Sequence, residues 1–520
     1  MSISAHAFII KFHWRVDLYR IIMKRFAIIY VAFVLATLSI KASTWLTMGN
    51  YDISWYNNSD SEFTISTPRS LAGLAYIVNN GYSTFYGKTI HLGADIDLSE
   101  NDWVSIGLGK STYFQGNFDG ANHFITGLKV TKDSGAYPYY GFFTYLNSSV
   151  IKDLTIIGYV STYFPDQAYP ETQMGGLAGY TANCHIKNVT SLVHLNYNRE
   201  KTMTDADYAL NMGGIVGESN KTTFEFCLNN GSLTVNFGRT GINGEYYDGA
   251  LANVGGITGK TYSSDIVGCG NINSKFEVYL AGSCNSTSGY IRIGGILGSG
   301  ATGSTVVKSC YNNAQKLIAE YYGNSYDNRI VIGGISATAS YGGIDNGFMS
   351  NNYSSTIYYL TNTPNFYYGG IVGQISDFNS NSSKYTANYS PSYISLNFAG
   401  EKGYDGATSF TQEQMTEDAF LSELNIYPIL NDLKYRWIRE SFGFPHVSQD
   451  VSAGIVSVEN CSNFFNVKQN TIHLKEPSLV YLYNFQGKCI YQGYTEKIDY
   501  ISSGTYILVA NGLHAKILIK

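Results

Sequence analysis

The sequence is poor in charged residues and in proline, of which it has only 9. Asp, Glu, Lys and Arg make up 14% of the 520 residues, against about 25% in an average soluble domain. The formal net charge of -5 provides no basic surface for a phosphate backbone, so we expect no nucleic-acid partner. The composition also excludes a coiled coil, and the 44% hydrophobic content argues against disorder.

Motifs for metal and cofactor binding are missing as well. The seven cysteines form no C-x-x-C pair, and none of the nine histidines is followed by Glu, which excludes the usual zinc spacings. No G-x-S-x-G elbow or phosphate-binding loop occurs. We therefore expect no cofactor and no metal. Asp95 and Asp97 share one face of a predicted strand and are the weak candidates for calcium or for a carboxylate pair, unless they only flank a turn.

Glycine and tyrosine are the abundant residues. The chain contains 54 Gly and 45 Tyr, and Tyr outnumbers Lys plus Arg, which total 34. Tyrosine suits the half-buried surface of a sheet, and glycine is frequent in turns. This balance predicts a large all-β protein.

The first 42 residues have the pattern of a secretory signal peptide. Lys24-Arg25 precedes the apolar run 26–40, and Ala42-Ser43 provides a small-residue cleavage site after Ala42. The run is shorter than the roughly 20 residues that cross a bilayer, although an N-terminal anchor is the alternative. Met23 is the better start of this leader. We expect a mature chain without a transmembrane segment.

Six copies of one motif follow at an even pitch. Gly-Gly-(Leu/Ile)-x-Gly occurs five times, and 333–337 is a degenerate sixth copy that ends in Ala337. The first glycines lie 38, 42, 39, 39 and 36 residues apart. This regularity indicates stacked repeats. The five complete copies are 175–179, 213–217, 255–259, 294–298 and 369–373.

The parity of the apolar residues changes at each double glycine. Leu210 and Met212 alternate with Asn211 as in a strand with one buried face, but Ile215 falls on the opposite parity. A bend at the double glycine returns Ile215 to the inside, because glycine tolerates unusual dihedrals and close backbone approach. The repeats therefore predict a parallel β-helix, coiled right-handedly, with one hydrophobic column at this corner. The predicted column is Leu177, Ile215, Ile257, Ile296, Ile335 and Ile371.

A second register of residues follows each corner. Cys227, Cys269 and Cys310 lie 14 to 16 residues after the leading glycine, and Asn follows closely. Side chains that stack along a β-helix point the same way, so we expect a ladder of reduced cysteines. We expect the asparagines to occupy turns, where they tolerate left-handed backbone.

These two registers together resemble the GLUG-motif repeats of bacterial surface proteins, over roughly residues 60–445. The resemblance implies a repeat architecture and surface display, and it specifies no activity. Helical caps are predicted at Thr67-Pro68 and at the capping box Thr411-x-x-Gln414, which opens a helix to about Leu424. The predicted divisions are a signal peptide, 1–42; an N-terminal cap and first coils, 43–165; the repeat β-helix, 166–400; its C-terminal cap, 401–450; and a small β-sandwich, 451–520.

The last 70 residues consist of short predicted strands, with a hairpin signal at Asn511-Gly512. The segments 480–484 and 504–506 and the terminal Lys520 resemble the C-terminal sorting domains of type IX secretion in bacteria of Bacteroidetes type. This resemblance implies export through secretion machinery and a secreted or outer-surface location. The Pro-Asn-Pro start of many such domains is missing, and a plain accessory sandwich is the alternative.

Loops that lead into the corners are rich in tyrosine. Insertions at one place in each repeat collect on one side of a solenoid, and Tyr combines a flat apolar ring with a hydroxyl. These tyrosines are the predicted ligand-binding residues, although they could simply shelter the sheet. Asp119 and His123 could pair as a base and its orienting partner, unless Asp119-Gly120 is only a turn. The predicted ligand-binding residues are Tyr246, Tyr247, Tyr321, Tyr322, Tyr326 and Tyr367, and Tyr197 lies in a further loop of this kind.

The sequence thus predicts a secreted or cell-surface binding protein, similar to an adhesin and without catalytic residues. Its expected partner is a glycan or a surface protein. A β-helix polysaccharide lyase or glycoside hydrolase is the first alternative, and it requires charged residues converging within about 10 Å on one sheet face. A structural spacer is the second.

Overall fold

A computed structural model describes most of the chain after the predicted leader. Within the described residues, no helix is long and apolar enough to cross a membrane. The described residues are 43–132, 138–164, 171–199, 208–237, 250–281, 290–300, 304–322, 329–339, 349–350, 352–356, 358–360, 366–375, 385–394, 407–430, 433–439, 443–449, 465–468, 470–484, 489–499, 501–510 and 513–519.

The main body is a parallel β-helix, as predicted, and each coil contributes strands to three sheets. Sheet 1 contains the strands that lead into the corner: Tyr139–Tyr140, Glu171–Gly175, Tyr208–Gly213, Ala250–Gly255, Tyr290–Gly294, Arg329–Gly333 and Phe366–Gly369. Sheet 2 contains the strands that leave it: Phe143–Asn147, Ala178–Ala182, Val216–Asn220, Thr258–Tyr262, Leu297–Gly300, Ser336–Ala339 and Val372–Ile375.

Sheet 3 closes each coil and extends to the N-terminal part of the chain. Its strands are Glu62–Ile65, Thr89–Leu92, Ile96–Asp97, Asn117–Lys132, Val150–Phe164, His185–Arg199, Thr223–Glu225, Leu228–Asn229, Leu233–Phe237, Asp265–Val267, Gly270–Ile272, Lys275–Ala281, Val306–Lys308, Tyr311–Asn313, Lys316–Tyr322, Met349–Ser350, Tyr353–Ser354, Tyr358–Leu360, Tyr385–Thr386, Asn388–Pro391 and Ala407–Phe410.

The hydrophobic column at the corner is present. The N–H of Ile257 donates to the carbonyl of Ile296 at 2.9 Å, and the N–H of Ile296 donates to the carbonyl of Ile335 at the same distance. Successive coils are therefore joined through the residues that follow the double glycines, and the predicted column is confirmed. Its six members, all with no exposed surface, are Leu177, Ile215, Ile257, Ile296, Ile335 and Ile371.

The double glycines are required by close contact and not by an unusual backbone. None of the six pairs, all of which are described, has a positive φ. A Cβ atom on Gly213 would collide with the carbonyl of Val216, and a Cβ on Gly255 would collide with that of Thr258. The first glycine of each pair thus allows the chain to fold back tightly on itself.

The second glycine of the pair makes room for a ladder of asparagines in three consecutive repeats, at Gly214, Gly256 and Gly295. A Cβ on Gly256 would lie 2.7 Å from Cβ of Asn271 and would also collide with the carbonyl of Gly295. Asn229 donates through Nδ2 to Oδ1 of Asn271 at 2.8 Å, and Asn271 donates to Asn312 at 2.9 Å. These asparagines are fully buried in strands, so the expectation that they occupy left-handed turns was wrong.

Left-handed residues do occur, but at other corners. The turn from sheet 2 to sheet 3 uses Asn183, Lys221 and Ser263, with φ of 51°, 48° and 47°. A further bend within sheet 3 uses residues such as Asn188 and Phe226. Because these left-handed positions carry mixed residue types, the sequence pattern did not reveal them.

The predicted cysteine ladder is confirmed. Cys227, Cys269 and Cys310 are free thiols with at most 1% of their surface exposed. The N–H of Cys227 donates to Sγ of Cys269 at 3.4 Å. Burial raises the pKa of the Cys227 and Cys269 thiols well above the ordinary value, so these residues stay protonated and act as packing residues.

Two helices flank the coil. Helix α1, Pro68–Asn79, begins after Thr67, whose Oγ1 accepts the N–H of Ser70 at 3.1 Å. The capping box at Thr411 and Gln414 also forms, with bonds of 2.8 and 3.1 Å, but it opens the 3-10 helix Gln414–Thr416. Helix α2 then spans Asp418–Leu430.

The segment from α2 to residue 449 lies along the outer face of sheet 3. It includes the antiparallel pair Tyr435–Ile438 and His446–Gln449. Phe420 packs against Tyr353, with ring centroids 5.5 Å apart, and Gln449 donates to Oδ1 of Asn188 at 2.8 Å. The segment therefore covers the side of several successive coils.

The C-terminal part forms a five-stranded antiparallel sheet. The register between the second and third strands shifts between His473 and Ser478. Ile472 of the second strand and Leu508 of the fourth strand belong to one apolar cluster. The last two strands pair antiparallel, and the predicted turn at Asn511-Gly512 lies outside the described residues. The strands are Phe465–Lys468, Thr471–Asn484, Cys489–Ile498, Gly504–Ala510 and Leu513–Ile519.

The corner geometry predicts that alanine substitutions at two glycines of the coil lower the stability of the protein to different extents. Gly256→Ala should destabilise the protein by about 3 kcal/mol, because the new methyl group meets backbone atoms that cannot move away. Gly300→Ala is the matched control, since its nearest neighbour would be the carbonyl of Thr338 at 3.4 Å, and it should change stability by less than about 0.5 kcal/mol. The urea midpoint of the full chain measures both, and equal shifts would contradict the account of the corner.

Candidate functional site

The outer faces of sheets 1 and 2 meet at the glycine corner. Asn211 and Glu218 lie on opposite sides of one corner, and Nδ2 of Asn211 donates to Oε2 of Glu218 at 2.8 Å. Asn211 was expected opposite the buried face but has no exposed surface, and neither have Asn253 and Val331 at the same register position of later coils. We call the region between these two faces the corner groove, because side chains of the two sheets point toward each other there.

A hydrogen-bonded network fills the floor of the corner groove. Gln173 donates to Glu218 at 3.4 Å, and Asn253 donates to Oδ1 of Asn211 at 2.7 Å. Asn211 also donates to Oε1 of Glu171 at 3.1 Å. The network joins three successive strands of sheet 1, and it provides partners for polar groups that would be costly to bury alone.

Two glutamates and a lysine give the middle of the groove its charge. Nζ of Lys260 lies 3.4 Å from Oε1 of Glu171. Burial raises the pKa of Glu218; Lys260 opposes this increase and the nearby Glu171 adds to it. Burial tends to lower the pKa of Lys260, but the Tyr262 hydroxyl and the two carboxylates outweigh it, so this pKa is raised. Lys260 is therefore a stable cation at neutral pH, and it pairs with Glu171.

Tyrosines line the end of the groove nearest the N-terminal coils. The rings of Tyr145 and Tyr180 stack with centroids 4.8 Å apart, and Tyr139 meets both edge-on at 5.8 and 6.0 Å. Tyr113 lies 5.6 Å from Tyr145. Burial raises the pKa of Tyr139 and Tyr145 to about 12, so their hydroxyls remain hydrogen-bond donors at neutral pH.

Arginines occupy the opposite end of the groove. The guanidinium of Arg292 lies over the ring of Tyr290 at 5.0 Å, and that of Arg329 lies over the same ring at 5.6 Å. All three residues are half-buried. The groove thus changes from aromatic to acidic to basic along the axis of the coil.

Most side chains of the predicted tyrosine site lie outside the part of the chain that the structure describes. Tyr246, Tyr247 and Tyr326 lie outside the described residues, and for Tyr321 and Tyr322 only the strand Lys316–Tyr322 is described. Tyr367 is half-buried and paired with Val331, which places it in the sheet 1 face of the corner groove.

Tyr197 was expected in a loop, but it is a core residue. It lies in the strand His185–Arg199 and has 2% of its surface exposed. Its ring contacts that of Phe237, with centroids 5.2 Å apart. The expectation was wrong because the sheet 3 strand continues to Arg199 in place of a loop.

The aspartates singled out from the sequence have local partners. Asp95 accepts from Nδ1 of His123 at 2.9 Å, and Asp97 accepts the N–H of Ser99 at 2.9 Å. Asp119 accepts the N–H of Ala121 and pairs with Lys152 at 2.7 Å, so it does not orient His123. Across the described ranges, no group of three or more His, Cys, Asp or Glu residues could hold a metal ion.

The sequence contains a signal for the groove in the residue that follows each repeat. Tyr180, Glu218 and Lys260 each directly follow the last glycine of a repeat, as does Ser299. These residues occupy one register position in consecutive strands of sheet 2. A constant glycine followed by a residue of changing chemistry is the pattern of a conserved corner that presents a variable surface.

Comparison with known proteins assigns the chain to no family. No protein-family model matches the chain, and no curated protein matches it. The resemblance to GLUG-motif repeats and to a sorting domain stays a prediction from the residues quoted for it.

The buried carboxylate predicts a stability difference that depends on pH. A raised pKa in the folded state means that Glu218 contributes stability below its ordinary pKa of 4.5, and that this contribution is lost as the pH rises through the folded value. Glu218→Gln keeps an oxygen for Asn211 and cannot ionise. We therefore expect the stability of Glu218→Gln relative to the parent to increase from about pH 4 to about pH 7.

Urea midpoints of both proteins at each pH provide the measurement. A difference between variant and parent that stays constant over this range would show that Glu218 does not ionise unfavourably in the fold.

Proposed function

We propose that this protein is a secreted or surface-displayed binding protein that recognises a polysaccharide chain along the corner groove. The proposal rests on one observation: the stacked Tyr145 and Tyr180 stand beside Glu171, Glu218 and Lys260 in the same groove. Aromatic faces next to hydrogen-bonding groups are suited to sugars, which have apolar faces and polar edges.

The repeat geometry favours a polymer over a single small ligand. Each coil adds one strand to each wall of the groove, and neighbouring strands lie about 4.8 Å apart. The two walls each contain seven strands among the described residues. A chain-like ligand can therefore make many weak contacts in series, and these contacts add to a useful affinity.

Export is the second part of the proposal. The leader 1–42, the resemblance of 451–520 to a sorting domain and the resemblance of the repeats to surface proteins all favour a location outside the cytoplasm. The buried, unpaired cysteines are compatible with an oxidising compartment because they are not accessible to oxidants.

One observation supports glycoside hydrolysis as an alternative function. Glu171 and Glu218 accept hydrogen bonds from the same nitrogen of Asn211, at 3.1 and 2.8 Å, which places them within the roughly 10 Å that a glycosidase pair spans. Glu218 is, however, 6% exposed and held by Asn211 and Gln173. This enclosure suits a structural carboxylate, and binding remains the favoured function.

Binding should depend on the tyrosine end of the groove. Tyr180→Leu keeps apolar bulk and removes the aromatic face, so we expect about fivefold to tenfold weaker binding to any polysaccharide that the full chain retains. Tyr86→Leu is the control, because Tyr86 is 74% exposed and outside the groove. A glycan array identifies the ligand, and affinity electrophoresis compares the variants.

Other outcomes identify the alternatives. If the full chain depolymerises a polysaccharide and Glu171→Gln abolishes this activity, the protein is a hydrolase. A chain that retains no glycan and degrades none would favour the spacer. Equal weakening by Tyr180→Leu and Tyr86→Leu would contradict the groove as the binding surface.

A further inference from the structure

The basic end of the corner groove holds two arginines around one tyrosine. Arg292 and Arg329 lie in successive coils, and each guanidinium stacks on the ring of Tyr290, which is paired with Arg329 in sheet 1. Stacking uses the face of the guanidinium and leaves its N–H edge available for a planar acceptor. The arrangement therefore gathers two guanidinium groups around one ring.

Neither arginine has a carboxylate partner among the described residues. Nη1 of Arg292 donates to the neutral oxygen of Asn253 at 3.3 Å. Its Nε is buried and has no hydrogen-bond partner within the described ranges. Two lysines of the coil differ, since Lys260 pairs with Glu171 and Lys316 pairs with Glu277, both at 3.4 Å.

An uncompensated and half-buried cation is unfavourable for stability. Burial lowers the pKa of Arg292, opposed only by the nearby Tyr290 hydroxyl, which reflects the cost of burying a charge without a counter-charge. Cation–π contact with Tyr290 offsets part of this cost. It does not satisfy the N–H groups, and an anion at the N–H edge would do so with charge-assisted hydrogen bonds.

We propose that Arg292, Arg329 and Tyr290 form a subsite for the anionic group of an acidic polysaccharide, either a carboxylate or a sulfate. The inference rests on the proposed function and names its ligand class. The polymer would place sugar rings against Tyr145 and Tyr180 and an acidic group against the arginines. Lys260, which neutralises Glu171, lies between the two ends and limits repulsion from the carboxylates.

The test compares four polymers with the full chain by affinity electrophoresis. Polygalacturonate carries carboxylates only, dextran sulfate carries sulfates only, and dextran and hydroxyethyl cellulose are neutral. We expect binding to one of the two acidic polymers, and its identity distinguishes carboxylate from sulfate. Raised salt should weaken this binding.

Variants locate the interaction. Arg292→Gln and Arg329→Gln should each weaken binding of the acidic polymer by about tenfold, the loss expected for a charge-assisted hydrogen bond. Arg69→Gln is the control, because Arg69 is exposed in helix α1, away from the groove. Circular dichroism and the urea midpoint establish that each variant is folded, and Arg292→Lys should retain part of the affinity if Arg292→Gln unfolds.

The two proposals fail in different ways. Binding of a neutral polymer that Tyr180→Leu weakens and Arg292→Gln does not would overturn the anion subsite and leave the proposed function intact. Equal loss with Arg69→Gln and Arg292→Gln would show general attraction between charges, which also overturns the subsite. If the full chain binds neither acidic polymer, the anion subsite is also overturned. If it binds no sugar on the glycan array either, the proposed function fails as well.

Discussion

The absence of a Cβ atom at the double glycines is the constraint on which the rest of the structure depends. At the first five corners the first glycine faces the carbonyl three residues ahead, and the second faces the next coil together with a serine or a member of the asparagine ladder. No other residue leaves room for both contacts. Because the corner repeats in the same place, Ile215, Ile257 and Ile296 stack in one column and the coils join in register.

Polar side chains form hydrogen bonds on both sides of the same corner. Inside, Asn229, Asn271 and Asn312 hydrogen-bond to one another along the coil. Outside, Asn211 and Glu218 bond across the groove. Buried polar groups are tolerated only when they have partners, and a repeat supplies the partner from the next coil. The backbone thereby stays constant while the residue after the last glycine varies, so the fold can present different chemistry at equal spacing.

Much of the fold could be predicted from the sequence. The pitch of the motif and the change of parity at Ile215 indicated the corner, the column and the parallel coils, because both signals are periodic. The groove was not predicted, since alternation of Leu210, Asn211 and Met212 also describes a strand that faces water. Only tertiary structure shows that the face of Asn211 meets a second sheet. The left-handed residues Lys221 and Ser263 were equally invisible, because they have no shared residue type.

The most direct test of the account is a short chemical cross-link between consecutive coils. Ser299 and Thr338 follow adjacent corners, and their hydroxyl oxygens lie 3.2 Å apart. With Cys284, Cys461 and Cys489 replaced by Ser, the pair Ser299→Cys and Thr338→Cys should be bridged nearly completely by dibromobimane, a short bifunctional thiol reagent, measured by the mass of the full chain. Ser299→Cys with Gln374→Cys spans two coil spacings, about 10 Å, and should not cross-link. Equal yields for the two pairs, or no cross-link in the first, would contradict the stacked glycine corner.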